Sequence, residues 1–558
     1  MRNLLRLALC LIYPLILIFS FYLIYRKYNE TIKKDYKAIL LNTLIISIVI
    51  ILGLKVFFHF EDTIYAYDYA GHYIRALTLK KYFYESPKDI LSLVYNSMNN
   101  TDYSYLPALF NLPFVLINES YSFFTISTYI IYLLPTLIVL QILYFNYLKG
   151  NKYLPIILIL AFFPLYLTLF YGKVDCSGLL FIVLSYSLII LPHYKDIDYL
   201  DTLSINLFAF LSIFLRRWYL YSIVCLYLAF LIKWLFYKDK KPKDILKLLS
   251  SGIILLIVCL IFFNTFINRV LTNNFEEAYA FYNHPGKVLA FINNISPIIC
   301  LVSIYGGYIL FKKHKDLLLI NVLSIVIPCL MIWKLQSFEY HHYYIFLLNI
   351  LILYVIGILN LKKISYPTLL VLLLQVGLIF SECPSIVIFT NIRKNPEVLY
   401  TKNDLIEISE YLKSIEPDDS TTAFLAAGSY GIISDDLLRN ALLPNLDGPN
   451  IDSAIFDIRD GFPKDYQYIK YIITVDPIIY TDQEYQHMFD IITNAITNNE
   501  LISSIYTPIY EKKIDEDKYT VTIYERTGEY TKEMKQYFYD EMIKVYPDKT
   551  DYFAYILD

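Results

Sequence analysis

Charged side chains are scarce in this chain: Asp, Glu, Lys and Arg make up only 18% of 558 residues, against 57% hydrophobic and 17% aromatic, and the mean hydropathy is +0.47. No water-soluble globular domain of ordinary composition approaches these values, which excludes a purely soluble enzyme. Cysteine is sparse and scattered. Cys10, Cys176, Cys225, Cys259, Cys300, Cys329 and Cys383 lie mostly singly in apolar stretches, so neither a zinc site nor a disulfide framework is indicated. Glycine (16) is low while tyrosine (56) is high, a bias that points weakly to an A/T-rich prokaryotic genome. Internal repeats and low-complexity linkers are missing. The basic residues form short clusters between apolar runs rather than one face, so nucleic acid is not expected as a partner.

What the chain does have is apolar runs. A hydrocarbon core about 30 Å thick needs roughly 20 apolar residues per helix, and reading for such runs gives about twelve candidate spans, from 4–25 and 38–58 through 154–170, 177–191 and 203–215 to 367–380. The run 203–215 is short enough to be a half-helix. From residue 382 onward the chain holds 32 acidic and 16 basic side chains, a net charge of −16 against +13 before it. The expected architecture is therefore a polytopic α-helical membrane domain, 1–382, with a first external loop at 59–105, followed by a soluble α/β domain, 383–558. Within the tail, the patterning predicts helices near 403–415 and 482–498 and strands at 421–427, 469–475, 503–510 and 519–525. It carries no phosphate loop, paired-cysteine site or nucleophile motif, and Gly428-Ser429 reads as a turn.

Orientation follows from the loops. Eighteen Lys and Arg fall in one alternate set and eight in the other, which places the first set in the cytoplasm and the 59–105 loop and the tail outside. The localisation expected is the cell membrane, multi-pass, with an extracytoplasmic C-terminal domain.

Candidate chemistry gathers at the outward ends of spans. The segment FEDTIYAYDYAGHY brings Glu61, Asp62, Asp68 and His72 close to the end of a membrane helix, where carboxylates are costly without partners or work. Asp68 and His72 are four apart and share a face if helical, and a carboxylate held there can take a proton from a hydroxyl. Arg216-Arg217-Trp218 offers two guanidinium forks for a phosphate and an indole for the headgroup level. Lys173 and Asp175, in YGKVDCSG, interrupt two spans and can pair with each other or touch a ligand. QSFEYHHYY places Glu339, His341 and His342 on another outward turn, with spacing that fits no standard metal-ligand set.

A long first external loop with an acidic motif after an early membrane helix, roughly a dozen spans and an extracytoplasmic C-terminal domain together resemble the C-type-fold integral-membrane glycosyltransferases, which include protein mannosyltransferases and aminoarabinose transferases. The resemblance implies transfer of a sugar from a polyprenyl-phosphate-linked donor to a glycan, lipid or protein acceptor, with membrane lipids as surroundings and a divalent cation, Mg or Mn, as an optional cofactor. It implies a catalytic or metal-assisting role for Asp68 or Asp62, with His72 assisting. It further implies donor-phosphate contacts from Arg216, Arg217 and Lys173 and substrate contacts near Asp175, Glu339, His341 and His342. The sequence departs from the commonest adjacent Asp-Glu pair, having Glu-Asp at 61–62 and a lone Asp68. Two other classes compete: a transporter or lipid flippase with an external partner-binding domain, which calls for ionisable residues at mid-membrane and an internal repeat, and a cell-envelope assembly factor, for which the loop acids are freely replaceable.

Overall fold

The computed structural model describes residues 2–557 apart from 102, 149–150, 191–196, 238–239, 273–290, 293–294, 336–340, 362–364, 380–395, 416–422, 426–431, 454–468, 480–486 and 548–549. The chain forms two compact units, Met1–Phe60 with Gly71–Pro396, and Glu61–Ala70 with Glu397–Asp558.

The first unit is helical. Among the described residues five helical stretches are long and apolar enough to cross a membrane: Arg2–Phe60, Tyr121–Tyr147, Arg217–Phe236, Pro242–Phe262 and Lys315–Trp333. Several of them turn large apolar side chains outward, as Pro242–Phe262 does with Ile253, Ile257, Ile261 and Phe262. Backbone groups satisfied within a helix and an apolar exterior are what a bilayer requires. Shorter apolar helices, including Cys176–Ile189, Tyr199–Leu215 and Tyr344–Asn360, pack among them. Cys176–Ile189 is buried on every side. Gly306 and Gly357 let Pro297–Lys313 and Tyr344–Asn360 approach closely, since a Cβ on Gly306 would meet the Leu353 carbonyl oxygen at 1.9 Å and one on Gly357 the Val302 oxygen at 2.2 Å.

The runs 4–25 and 38–58 are two helices within Arg2–Phe60, joined without a loop at a kink where Tyr28 leaves helical dihedrals (φ −122°, ψ 21°). The basic residues beside the kink have their charges met locally. Arg26 pairs with Asp198 at 2.8 Å and also with buried Asp201, Lys27 pairs with Asp201 at 2.6 Å, and Asp198 and Asp201 form the capping box that starts Tyr199–Leu215. The run 154–170 is helical only over Leu154–Ala161 and continues as the 3-10 turns Phe163–Leu165 and Leu167–Tyr171. Pro164 lacks an amide donor, and carbonyls outside regular pairing are taken by side chains: Tyr166 donates to the Leu160 oxygen at 2.6 Å and Tyr344 to that of Leu165 at 2.7 Å. The expected loop 59–105 is itself largely helical, over Tyr67–Glu85 and Pro87–Asn100.

The second unit is α/β. Strands β1 (Ala423–Leu425), β2 (Ile451–Ser453), β3 (Tyr471–Asp476), β4 (Tyr506–Ile514) and β5 (Tyr519–Arg526) form one sheet in the order β2-β1-β3-β5-β4. The first three are parallel, and β5 runs antiparallel to both β3 and β4. Five consecutive residues of β3 are buried, as a central strand covered on both faces requires. Helix Lys402–Ile415 lies where the periodicity places it. The strand expected at 503–510 begins later because Asn499 accepts from the Leu501 and Ile502 amides and caps a short helix, Glu500–Ser503. The turn expected at Gly428-Ser429 lies outside the described residues.

Residues 61–70 belong to this unit and not to the helical one. Ile64 and Ala66 are buried in the same core as Leu405, Ile408, Ile473 and Val521. The Asp62 amide donates to the Glu397 oxygen and its carbonyl accepts from the Leu399 amide, both at 2.8 Å. Such pairing satisfies the backbone of a segment that hydropathy alone cannot distinguish from a solvated loop.

Candidate functional site

Within the first unit, polar residues from four separate stretches of sequence converge. Arg216 ends helix Tyr199–Leu215 in an extended conformation (φ −149°, ψ 114°), and the 3-10 turn Arg217–Tyr219 leads directly into Leu220–Phe236. Asp175 opens helix Cys176–Ile189, and Gly172, at φ 61°, adopts the left-handed turn that precedes Lys173. Gly178 permits the two elements to meet, because a Cβ there would lie 2.2 Å from the Tyr219 ring. Tyr219 in turn donates its hydroxyl hydrogen to the Asp175 carbonyl oxygen at 2.6 Å.

The contacts are specific. Arg216 donates through Nε to Asp175 Oδ1 at 2.8 Å and through Nη1 to His72 Nε2 at 3.2 Å. Lys173 Nζ stands 3.2 Å from His341 Nδ1, the His341 and His342 rings are 4.1 Å apart, and the Trp218 ring meets His342 edge-on at 4.8 Å. Arg216 also lies over Tyr103 (5.4 Å) and Trp218 (5.7 Å), and Arg217 over Trp218 (4.7 Å). Lys173, Asp175, His72, Arg216, His341 and His342 are all buried.

Donor and acceptor roles follow from the cations. A guanidinium can only donate, so His72 Nε2 accepts and the neutral ring carries its proton on Nδ1; by the same reasoning the Lys173 ammonium leaves the His341 proton on Nε2. Burial holds His72 well below the usual histidine range, with Arg216, Arg75 and Lys173 adding to it. Burial does the same for His341, helped by His342, Lys173 and Arg216. Both rings are therefore neutral. His72 Nδ1 and Trp218 Nε1 are buried and have no hydrogen-bond partner among the described residues. The result is a buried cluster rich in N–H donors, with Asp175 as the carboxylate paired with Arg216.

The neutral histidines have a measurable consequence. The unfolded chain takes up protons near pH 6.5 while the folded rings resist, so acid favours unfolding. Thermal melting in detergent should be constant above about pH 7 and fall from about pH 6.5 to 5. The double substitution His72→Gln, His341→Gln should flatten that slope, and an unaltered slope would contradict the neutral assignment.

Asp68 and Asp62 belong to the second unit, both within Glu61–Ala70. Asp68 occupies the first turn of Tyr67–Glu85, one turn ahead of His72 on the same helix. Asp62 is ion-paired with Lys402. Glu339 lies outside the described residues. Sequence reasoning missed Tyr103 and Arg75, which stack at 5.3 Å. Arg75 was within reach, being three residues after His72 on one helical face, whereas nothing in the pattern around Tyr103 marks it.

The buried cluster does not fit a divalent cation. Its carboxylate is engaged by Arg216, His72 turns its lone pair to the same guanidinium, and two cations already occupy the site, which is unlike any oxygen-rich Mg or Mn shell. Among the described residues no group of three or more His, Cys, Asp or Glu side chains is arranged to hold a metal ion. No family model and no curated protein sequence matches this chain.

Proposed function

We propose that this protein is a polytopic membrane glycosyltransferase, of about twelve spans and C-type-fold character, that transfers a sugar from a polyprenyl-phosphate-linked donor to an acceptor on the extracytoplasmic face. The observation that carries the reading is the buried donor set: His72 Nδ1–H and Trp218 Nε1–H lacking partners beside Arg216, with Lys173 and His341 adjoining. Hydrogen-bond donors fixed around a cation match a phosphate's acceptor oxygens. In the proposed reaction an acceptor hydroxyl attacks the anomeric carbon, the bond from that carbon to the phosphate oxygen breaks, and its electron pair leaves on the lipid phosphate, with inversion. The hydroxyl proton passes to Asp68. A phosphate leaving group needs charge stabilisation more than protonation, so fixed donors and one base suffice. Asp175 orients Arg216, and Arg217 lies against Trp218 on the half-buried side of the same turn.

The test uses sided membrane vesicles containing the full chain and a panel of labelled polyprenyl-phosphate hexoses and pentoses. Right-side-out vesicles should transfer label from at least one donor to a membrane acceptor and inside-out vesicles should not. Equal turnover by both would reverse the orientation, and turnover by neither, with protein present, would remove the enzyme reading.

A further inference from the structure

A polar-rimmed cavity lies at the other end of the helices that carry the donor cluster. It encloses about 510 Å³, within the range of small-molecule sites, and its wall is mainly apolar, with Leu158, Leu351 and Val355 among its lining. The helices Cys176–Ile189, Leu220–Phe236 and Tyr344–Asn360 start next to Asp175, Trp218 and His342, and they present Tyr186, Lys233 and Asn360 to the cavity. At about 1.5 Å per residue the two sites are about 15–24 Å apart along these helices. The rim is basic. Lys313 and His314 are exposed at it, and Lys233 is held at 2.9 Å by Asp316, the carboxylate in the lining.

We propose that this cavity binds an anionic phospholipid, one acyl chain entering between the helices and the phosphate resting at Lys313 and His314 with Lys233 behind. An apolar shaft selects for a chain, and a rim of two lysines and one carboxylate selects for a negative headgroup; basic pockets between membrane helices recognise anionic lipids in this manner. The lipid is a resident of the fold and not the sugar donor, so the inference stands apart from the reaction proposed above.

The test is native mass spectrometry of the detergent-purified full chain titrated with dioleoyl phosphatidylglycerol or dioleoyl phosphatidylcholine, with no sugar donor present. Wild type should bind one phosphatidylglycerol at least about tenfold more tightly than phosphatidylcholine. Lys313→Glu, at an exposed position that leaves the core intact, should abolish that preference. Leu351→Trp should block both lipids by filling the shaft, and Val355→Phe serves in its place if that variant does not fold. Equal affinity for the two lipids, a preference that survives Lys313→Glu, or binding undiminished in a folded cavity-filled variant would overturn the proposal. So would displacement of the lipid by inorganic phosphate alone, since that result makes the rim a phosphate site without a use for the shaft.

Discussion

Replacing the buried pair as a unit, Arg216→Gln with Asp175→Asn, is expected to raise the apparent KM for a polyprenyl-phosphate sugar by about tenfold to a thousandfold, at about 1.5–3 kcal/mol for each charge-assisted hydrogen bond to the phosphate that is removed. The pair is the right unit because both side chains are buried and joined at 2.8 Å. Arg216→Gln alone leaves a buried carboxylate without its counter-charge, which typically costs about 3–5 kcal/mol and would confuse unfolding with reduced affinity. The double variant keeps both shapes and leaves neither charge exposed to an apolar interior. Arg217→Gln should have the smaller effect, because that guanidinium is half-buried and its stacking on the Trp218 ring is worth only about 0.5–1 kcal/mol. A folded double variant with unchanged KM would make the arginine turn a structural anchor.

Asp68→Asn is expected to reduce transfer below roughly 1% while the protein stays folded and still binds the lipid donor. Asn retains size and one acceptor oxygen but cannot take the acceptor hydroxyl's proton, and general-base catalysis is worth about 10²–10⁴ in rate. Asp62→Asn is the control. Its carboxylate is two-thirds exposed and engaged with Lys402, so its loss should cost no more than about 1 kcal/mol of stability and leave turnover in place. Should Asp62 prove essential and Asp68 dispensable, the choice of base is wrong but the reaction class stands. If neither substitution slows transfer, the transporter and assembly-factor readings move ahead.

The parts of the site legible in the sequence are those that carry a visible desolvation cost. Lys173-Val174-Asp175, Arg216-Arg217-Trp218 and His341-His342 each interrupt or border an apolar run, where an ionisable group is expensive, and the structure brings these three interruptions together with His72. Tyr103 gives no such signal, since an aromatic residue is equally at home in core, interface or loop. The same limit governs the fold. Hydropathy locates apolar runs but cannot tell that Asp198 and Asp201 neutralise Arg26 and Lys27 beside the kink at Tyr28. Nor can it tell that the 61–70 stretch pairs with Val398 and Leu399, more than three hundred residues away. The break after Ala161 had a local marker in Pro164, whereas the hydrogen bonds that stabilise it, those from Tyr166 and Tyr344 among them, form only once the chain has folded.

The most direct measurement is equilibrium binding of polyprenyl phosphate and of the uncharged polyprenol of equal length to the purified full chain. The donor-rich cluster requires saturable binding of the phosphate at least about tenfold tighter than that of the alcohol, with the difference abolished in the Arg216→Gln, Asp175→Asn variant. Equal affinity for phosphate and alcohol, or a phosphate preference that survives in that variant, would contradict it.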